Sequence, residues 1–600
     1  APAPPPAITA PAPTTTQAPA IPMPTPLLAT PSPGGTAALL PTPIPAPEPR
    51  REPRGLFLDG VSAGDAETLN WILAADSASF SYTGQTLDSL ATYNNQWQVV
   101  LRHLAKPVEV SPDGLVYTIT IRDDLHWTGG TRVTAEDYVY TLKSLMFSDW
   151  LSYTYKEDWE ETVNGEKMMV RPEVIDDTTF TITRQTVDPE FVDNAIYGLI
   201  PYPKHIAQRY EGNIKAFTQA EEFNNLAYTG NMGPYMYQEW IRNDKFSVIR
   251  NPDFYLGHED NSPFFEEYTT KIFGTPAARH LALEAGDITY TGIDPPQVAK
   301  FTKMENITMY HNPTSGYQLI TYNMRQNGWE GLDDKRVRHA LSMSIDKNAV
   351  IQSVMQGFAD PAFSFIPKPS PWFTEEGVPR FGVGSLYDKQ RARDLLSKAG
   401  YGTREVDGRP VVTGTDGLPL KLVLATNSGN KQREDIAHLV KQEIGELGIE
   451  VEMKLVPWPS LLRQYMNNRV PGSDQEPRFN NGPDAVSDEK WDLIVMGFGT
   501  HPIAPSGSSV FYSSDGGINY WGFSNPRVDE LFQRVKSREA LDVEARKKMY
   551  AELSRLIAEE QSVDFLSYPL SHPAFQDSVA GIEPGMRLGY NYHKWYFLQR

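Results

Sequence analysis

The sequence predicts a mixed α/β protein with more than one lobe, and three observations carry that reading. Stretches with the two-residue period of a strand recur between stretches with the helical period, the helix ends carry their expected start and stop residues, and 600 residues exceed what one core supports. Leu115, Tyr117, Ile119 and Ile121 alternate with Val116, Thr118 and Thr120, the pattern of a half-buried strand. A helix follows: Thr134 is placed to cap it, Glu136 and Asp137 fall in its first turn, where the dipole favours anions, and Tyr138, Leu142 and Leu145 form one apolar stripe. In the second half Asp388 is expected to cap a helix whose Ala392, Leu395, Leu396 and Ala399 share a face, with Gly400 as its left-handed stop.

Lys421 to Ala425 reads as a strand. The stripe Ile436, Leu439, Val440, Ile444 and Leu447, ended by Gly448, and the alternation Ile449, Val451, Met453 and Leu455 complete a strand-helix-strand crossover. Trp491 to Met496 is almost wholly apolar, as expected of a strand covered on both faces. Asn525 and Pro526 open a penultimate helix at cap and first position, and Ala545, Met549, Leu553 and Leu556 mark a last long one. Glycine and proline clusters around 366–384, 408–419 and 471–486 are expected to be surface loops or small insertions, and no internal repeat is found.

Residues 1–55 are a different material. Ala, Pro and Thr dominate, 17 of the 49 prolines lie in the first 50 residues, and only Glu48 and Arg50 carry charge there. Such a chain cannot build a core and favours polyproline II, so it reads as a disordered linker; at roughly 3.1 Å per residue it can act as a spacer of up to about 150 Å.

The net charge of -20 argues against nucleic acid or an anionic membrane surface as partner, since both demand clustered Lys and Arg. Zero cysteines exclude disulfides, thiolate catalysis and Cys-ligated zinc within the sequence. No apolar run approaches the roughly 18 residues of a membrane span. No targeting peptide begins the sequence, so it is expected to be a mature or trimmed form.

Five stretches in order resemble the family 5 extracellular solute-binding proteins of ABC importers, which include oligopeptide, dipeptide, nickel and some oligosaccharide receptors. They are Thr68-Leu69-Asn70 with Ala75-Asp76-Ser77-Ala78-Ser79; Ser111 to Arg122 running into Trp127 and Thr134-Ala135-Glu136-Asp137; Gly233-Pro234-Tyr235 through Trp240 to Arg250-Asn251-Pro252-Asp253-Phe254-Tyr255; Leu332-Asp333-Asp334 through Arg336-Val337-Arg338 and Ala340-Leu341-Ser342 to Ile345-Asp346-Lys347; and Tyr387-Asp388, Ala399-Gly400-Tyr401 and Trp521 to Pro526. The resemblance covers about residues 56 to 570. Most of these motifs have structural reasons, turns and helix starts among them, so they identify a fold rather than a ligand.

The resemblance implies a two-lobe, periplasmic-binding-protein-like α/β fold with an extra subdomain in lobe one, the cluster C type. Lobe one is then 56–312 with the subdomain near 100–195, the hinge crossing 313–324, lobe two 325–562, and 563–600 the return crossing and C-terminal part of lobe one. Gly316 to Asn323 and Val563 to Tyr568 are expected to be the crossing strands. It further implies a monomeric, cofactor-free and metal-free binding subunit, not an enzyme, that closes its lobes on a peptide or small organic ligand and delivers it to ABC permease subunits. Its expected place is extracytoplasmic, in the periplasm or at the cell surface, tethered as a lipoprotein through the linker.

Phe498 is the first candidate ligand contact, because relatives deliver an aromatic to the cleft from that strand end. Trp458, Tyr317, Asn323, Asn427, Ser428 and Asp76 follow by position. His501 stands where peptide-binding members often carry an aspartate for the peptide amine. A buried amine without a carboxylate partner is costly, so blocked peptides, oligosaccharides and other organic ligands gain weight. A lone histidine is a poor nickel site. The rival classes are an oligosaccharide receptor of the same family, a secreted hydrolase and a surface sensor. The sequence has no His-Glu-x-x-His, Gly-x-Ser-x-Gly or Walker A motif, although 75 acidic residues leave a carboxylate pair open.

Overall fold

The computed structural model describes residues 51–599 except 63, 75, 152, 154, 164, 229–231 and 476. The proline-rich linker expected over 1–55 therefore lies, up to residue 50, outside the described residues. Residues 50–600 form one compact unit.

Two seven-stranded sheets organise it. In the first, the strands run in the order 235–241, 245–250, 267–272, 56–61, 290–292, 573–576, 307–309. Leu56–Val61 lies parallel to Glu267–Ile272, and Phe57 sits directly opposite Tyr268. In the second, the order is 312–313, 563–571, 316–322, 493–499, 421–427, 450–456, with 359–361 also on 563–571. Lys421–Asn427 pairs in parallel with Glu450–Val456 through the helix Lys431–Leu447, the crossover expected from sequence. A smaller antiparallel sheet, ordered 109–110, 116–120, 179–183, 171–174, and the helix Ala135–Tyr140 build the subdomain of lobe one.

Alternation decides which way each strand of the second sheet faces. Leu319, Ile494 and Phe565 enter one buried cluster and Ile320, Val495 and Leu566 the cluster on the opposite face. Both faces are covered, which is why these strands read as continuous apolar runs. The pairing also bears on where the chain passes between the two sheets. Gly316–Tyr322 and Val563–Ser571 are not crossing strands but interior strands of the second sheet, hydrogen-bonded on both edges. The chain crosses instead between Ile307–Met309 and Asn312–Pro313, and returns through His572 alone, between Val563–Ser571 and Pro573–Gln576. The 408–419 stretch is likewise not simply a loop, because Gly402–Val406 and Arg409–Thr413 form a hairpin.

The motifs shared with the family have visible structural work. Gly233 lies so close to the Thr86 carbonyl that a Cβ would come within 2.5 Å, and Asn251 donates to the Gly233 carbonyl at 2.9 Å, so Gly-Pro-Tyr and Arg-Asn-Pro-Asp meet. Asp334 caps the helix Lys335–Ser344, and Arg338 inside that helix donates to the carbonyls of Leu332, Asp333, Glu560 and Gln561. Gly400 and Gly448 take the left-handed conformation expected of helix stops, at φ 100° and 109°.

Lys347, from Ile-Asp-Lys, pairs with Asp564 at 2.8 Å, and both side chains are essentially without solvent contact. Removing one partner of such a pair strands the other charge at a cost of about 3–5 kcal/mol. Lys347→Met is expected to lose that much stability in urea denaturation. The double variant Lys347→Met/Asp564→Leu should recover most of it, since no lone charge is left in the core.

Candidate functional site

A crevice of about 1020 Å³ opens where the two sheets present strand ends and helix starts to each other. Ser62 follows the strand Leu56–Val61, Thr275 caps the helix Pro276–Ala285, and Asp294 precedes the helix Pro295–Phe301. From the second lobe come Asn427 at the end of its strand and Ser428 to Lys431, where Asn430 caps the helix Lys431–Leu447 by accepting from Arg433 N–H at 3.1 Å. Each residue sits there for a local reason: strand ends and caps leave polar groups unspent, and both lobes aim theirs at the same space.

The Asn427 side-chain oxygen accepts from the Arg433 guanidinium at 3.0 Å, and the Ser428 N–H bonds the Val456 carbonyl at 2.8 Å, which fixes both at the rim. Ser428 is exposed. Across the gap His280 and Arg279 both approach Asp294, at 3.6 and 3.8 Å; burial holds the His280 imidazole below its usual range, so Arg279 supplies the charge of that group.

The other expected site residues fall elsewhere. Trp458 is 43% exposed at the start of the short helix Trp458–Ser460. Phe498 is half-buried, stacked on Phe511 at 4.5 Å with Trp521 beyond it. Tyr317 was expected beside the ligand, but its ring is buried in lobe two and its hydroxyl lies 3.0 Å from that of Tyr512. Asn323 is equally turned inward: it donates to the Trp491 carbonyl at 2.8 Å and accepts from Arg325 N–H. Asp76 caps the helix Ser77–Thr83, accepting from Ser79 N–H at 2.8 Å.

His501 lies at a second contact between the lobes, its ring 5.9 Å from that of Tyr93 and 6.2 Å from that of Trp97. Loss of solvation pushes it down to about 4, and the nearby Arg587 charge adds to the shift, although the outer edge of the residue remains open to solvent. It is a neutral group that accepts from Ala504 N–H at 3.1 Å.

A third contact was invisible in the sequence. Glu190, on the lobe-one subdomain, has no solvent exposure, and its carboxylate accepts from Tyr550 Oη at 2.6 Å and from Ser506 N–H at 3.1 Å, with Arg546 3.7 Å away. Asn194 donates to Ser506 Oγ at 3.1 Å beside it. Tyr550, Ser506 and Arg546 all belong to lobe two, so this clasp exists only while the lobes touch. No local motif announces it, because its parts are more than 300 residues apart.

Among the described residues no group of three or more His, Cys, Asp or Glu is placed to hold a metal ion, and no helix is long and apolar enough to cross a membrane.

Against known proteins, a model of the family described as bacterial extracellular solute-binding proteins, family 5 Middle, matches residues 100–541. This chain belongs to that family. Among its relatives, the oligopeptide-binding protein AppA of Bacillus subtilis is 28% identical over 543 residues, covering 89% of this chain and 90% of that protein. The periplasmic oligopeptide-binding protein OppA of Haemophilus influenzae is 23% identical over 499 residues, covering 80% and 82%. The structure of AppA from Bacillus subtilis in complex with a nonapeptide superposes with a TM-score of 0.73 at 25% identity, covering 92% of this chain and all of that one. NikZ from Campylobacter jejuni in complex with Ni(L-His) superposes at 0.72 with 20% identity, covering 90% and 99%, which is a likeness of fold. As a family 5 protein the chain has the two-lobe, cluster C architecture and a solute-binding role.

Burial raises Glu190 from an ordinary 4.5 to about 7, outweighing its hydrogen bonds from Tyr550 and Ser506, with Asp188 adding to the rise. Opening the lobes returns it to water, so the closed form binds the proton more tightly. The clasp's contribution to closure is complete below about pH 4.5 and is lost as the pH rises through about 7. Scattering or interlobe fluorescence transfer across that window should show closure weakening towards alkaline pH, and Glu190→Gln should flatten the profile. An identical profile in the variant would remove Glu190 from the closing equilibrium.

Proposed function

We propose that this protein is the extracytoplasmic capture subunit of an ABC importer, taking a peptide or an organic ligand of similar size into the crevice between its lobes. The observation that carries the reading is that crevice, about 1020 Å³ and lined from both lobes, the size and construction of an organic-ligand site. A relative that matches nearly the full chain is an oligopeptide-binding protein and is known with a nonapeptide bound, which supports peptide as the ligand class. Lobe one is taken as the first sheet with its subdomain and the C-terminal segment, lobe two as the second sheet with its helices. The linker would hold the receptor near the membrane and its permease.

Asn427 and Ser428 are the proposed polar contacts in the crevice, and Trp458 and Phe498 are the proposed aromatic contacts from lobe two outside its lining. Ligand touching both lobes is bound only when they close, so its differential affinity shifts the open-closed equilibrium, and closure is the state a permease would read. Micromolar capture, about -8 kcal/mol, is sufficient. His501 favours a ligand without a free ammonium group at its position: the imidazole is neutral and Arg587, not a carboxylate, is the charge acting on it.

Native mass spectrometry of protein purified without refolding, followed by calorimetry with the retained cargo and with free and N-acetylated peptides, tests the proposal. One ligand should bind per chain and contract the scattering profile. Asn427→Ala should weaken it by about 10-fold, the worth of one good polar contact, and N-acetylated peptides should bind at least as well as free ones. A chain that binds no member of the panel and never contracts would end the peptide reading.

A further inference from the structure

A second cavity, of about 630 Å³, lies wholly within lobe one, between the 80–102 region, the first sheet and the C-terminal residues 586–595. Its charged lining is unusual. Arg102 is 6% exposed, and among the described residues the one hydrogen bond of its guanidinium runs from Nη2 to the Tyr590 carbonyl. Arg587 donates from Nη2 to Thr92 Oγ1 at 2.8 Å, while its buried Nε has no partner. Among the described residues neither guanidinium takes part in an ion pair.

The backbone brings the two together. Ala91–Tyr93 pairs with Val99–Leu101, with Ala91 opposite Leu101, and the Arg102 N–H extends that register by donating to the Leu90 carbonyl at 3.1 Å. Leu90 and Thr92 lie on one face of the hairpin, so Arg102 and the arginine held by Thr92 gather on that face. Burial and the Arg102 charge both hold Arg587 below its ordinary value, against an opposing contribution from Tyr93. No carboxylate is paired directly with either of them among the described residues, although Asp59 and Asp88 line the same cavity. Burial, then Arg102 and Lys594, push His593 far down, so it adds no charge. Asp88 is occupied by Tyr255 Oη at 2.7 Å and Ser89 N–H at 2.9 Å. Two like charges gathered in one partly buried cavity, neither paired directly with a carboxylate, are unfavourable, and an anion between them offsets that.

The rest of the lining sets the class of anion. Phe254, Tyr268, Tyr290, Tyr592 and Trp595 give the cavity an aromatic body suited to carbon rather than to a hydrated inorganic ion. Asp59 lines it too; Tyr268 Oη donates to one carboxylate oxygen at 3.0 Å, and among the described residues no hydrogen bond reaches the other. We propose that this lobe-one cavity is a second binding site, taking a small organic carboxylate whose charged end is gripped by the forks of Arg102 and Arg587, with Asp59 accepting from a hydroxyl or amino group on its body.

Calorimetry on the full chain with succinate, the L-amino acids, the same amino acids as C-terminal amides, and inorganic phosphate tests it. At least one carboxylate should bind, its amide should bind at least about 10-fold more weakly, and Arg587→Met should lose a similar factor. If that variant melts early, Arg587→Lys keeps the charge and the fold but loses the fork, and should still weaken the carboxylate. Binding should persist in Ser428→Trp, which obstructs the rim of the interlobe crevice, so this site and the proposed peptide site fail separately. No heat with any carboxylate, equal binding of the amides, indifference to both Arg587 variants, loss in Ser428→Trp, or phosphate binding tighter than every carboxylate would each overturn the assignment.

Discussion

Two adjacent crossings of the chain are the constraint on which the rest of this structure depends. The chain leaves the first sheet at Met309, enters the second at Asn312, and comes back through His572 alone. The side chains of His311 and His572 meet there, Nδ1 to Nδ1 at 2.8 Å, against the ring of Phe358. Because the lobes are joined at one edge only, they can turn about it without breaking either sheet. A crevice between them is then the necessary consequence, and strand ends and helix caps line it because those are what the two sheets present to each other.

Rigidity within each lobe makes that turn useful. Strands of the second sheet are covered on both faces, the Lys347–Asp564 pair ties the strand Val563–Ser571 to the helix side, and Arg338 gathers four carbonyls from two segments. The contacts between lobes are of another kind. They are few, polar and distributed: the Glu190 clasp, the His501 ring against Tyr93 and Trp97, and Arg538 on the Asp113 carbonyl at 2.8 Å. Polar contacts exchange with water at small net free energy, whereas the apolar clusters do not, so lobes separate where cores cannot.

Much of this was legible in the residues. The crossover Lys421 to Val456, the helix stops at Gly400 and Gly448, the caps at Asp334, Asp388 and Asn525 and the double-sided strand near Trp491 to Met496 all follow from local periodicity and backbone chemistry. Asn427 and Ser428 line the interlobe crevice, at a strand end before a helix cap, a local event that sequence makes recognisable. Tyr317 and Asn323 show the limit: a tyrosine and an asparagine at a strand's two ends serve a cleft or a core equally well by sequence, and only the packed neighbours Tyr512 and Trp491 settle it.

The sequence by itself determined the α/β elements, their caps, the two-lobe family and the unlike proline-rich segment, because each is written in contacts a few residues long. Tertiary structure alone decided where the chain crosses between the two sheets, that Glu190 loses its water to Tyr550 and Ser506, and that Arg102 and Arg587 share a cavity. Those outcomes depend on which distant surfaces exclude solvent together, and desolvation has no local signature.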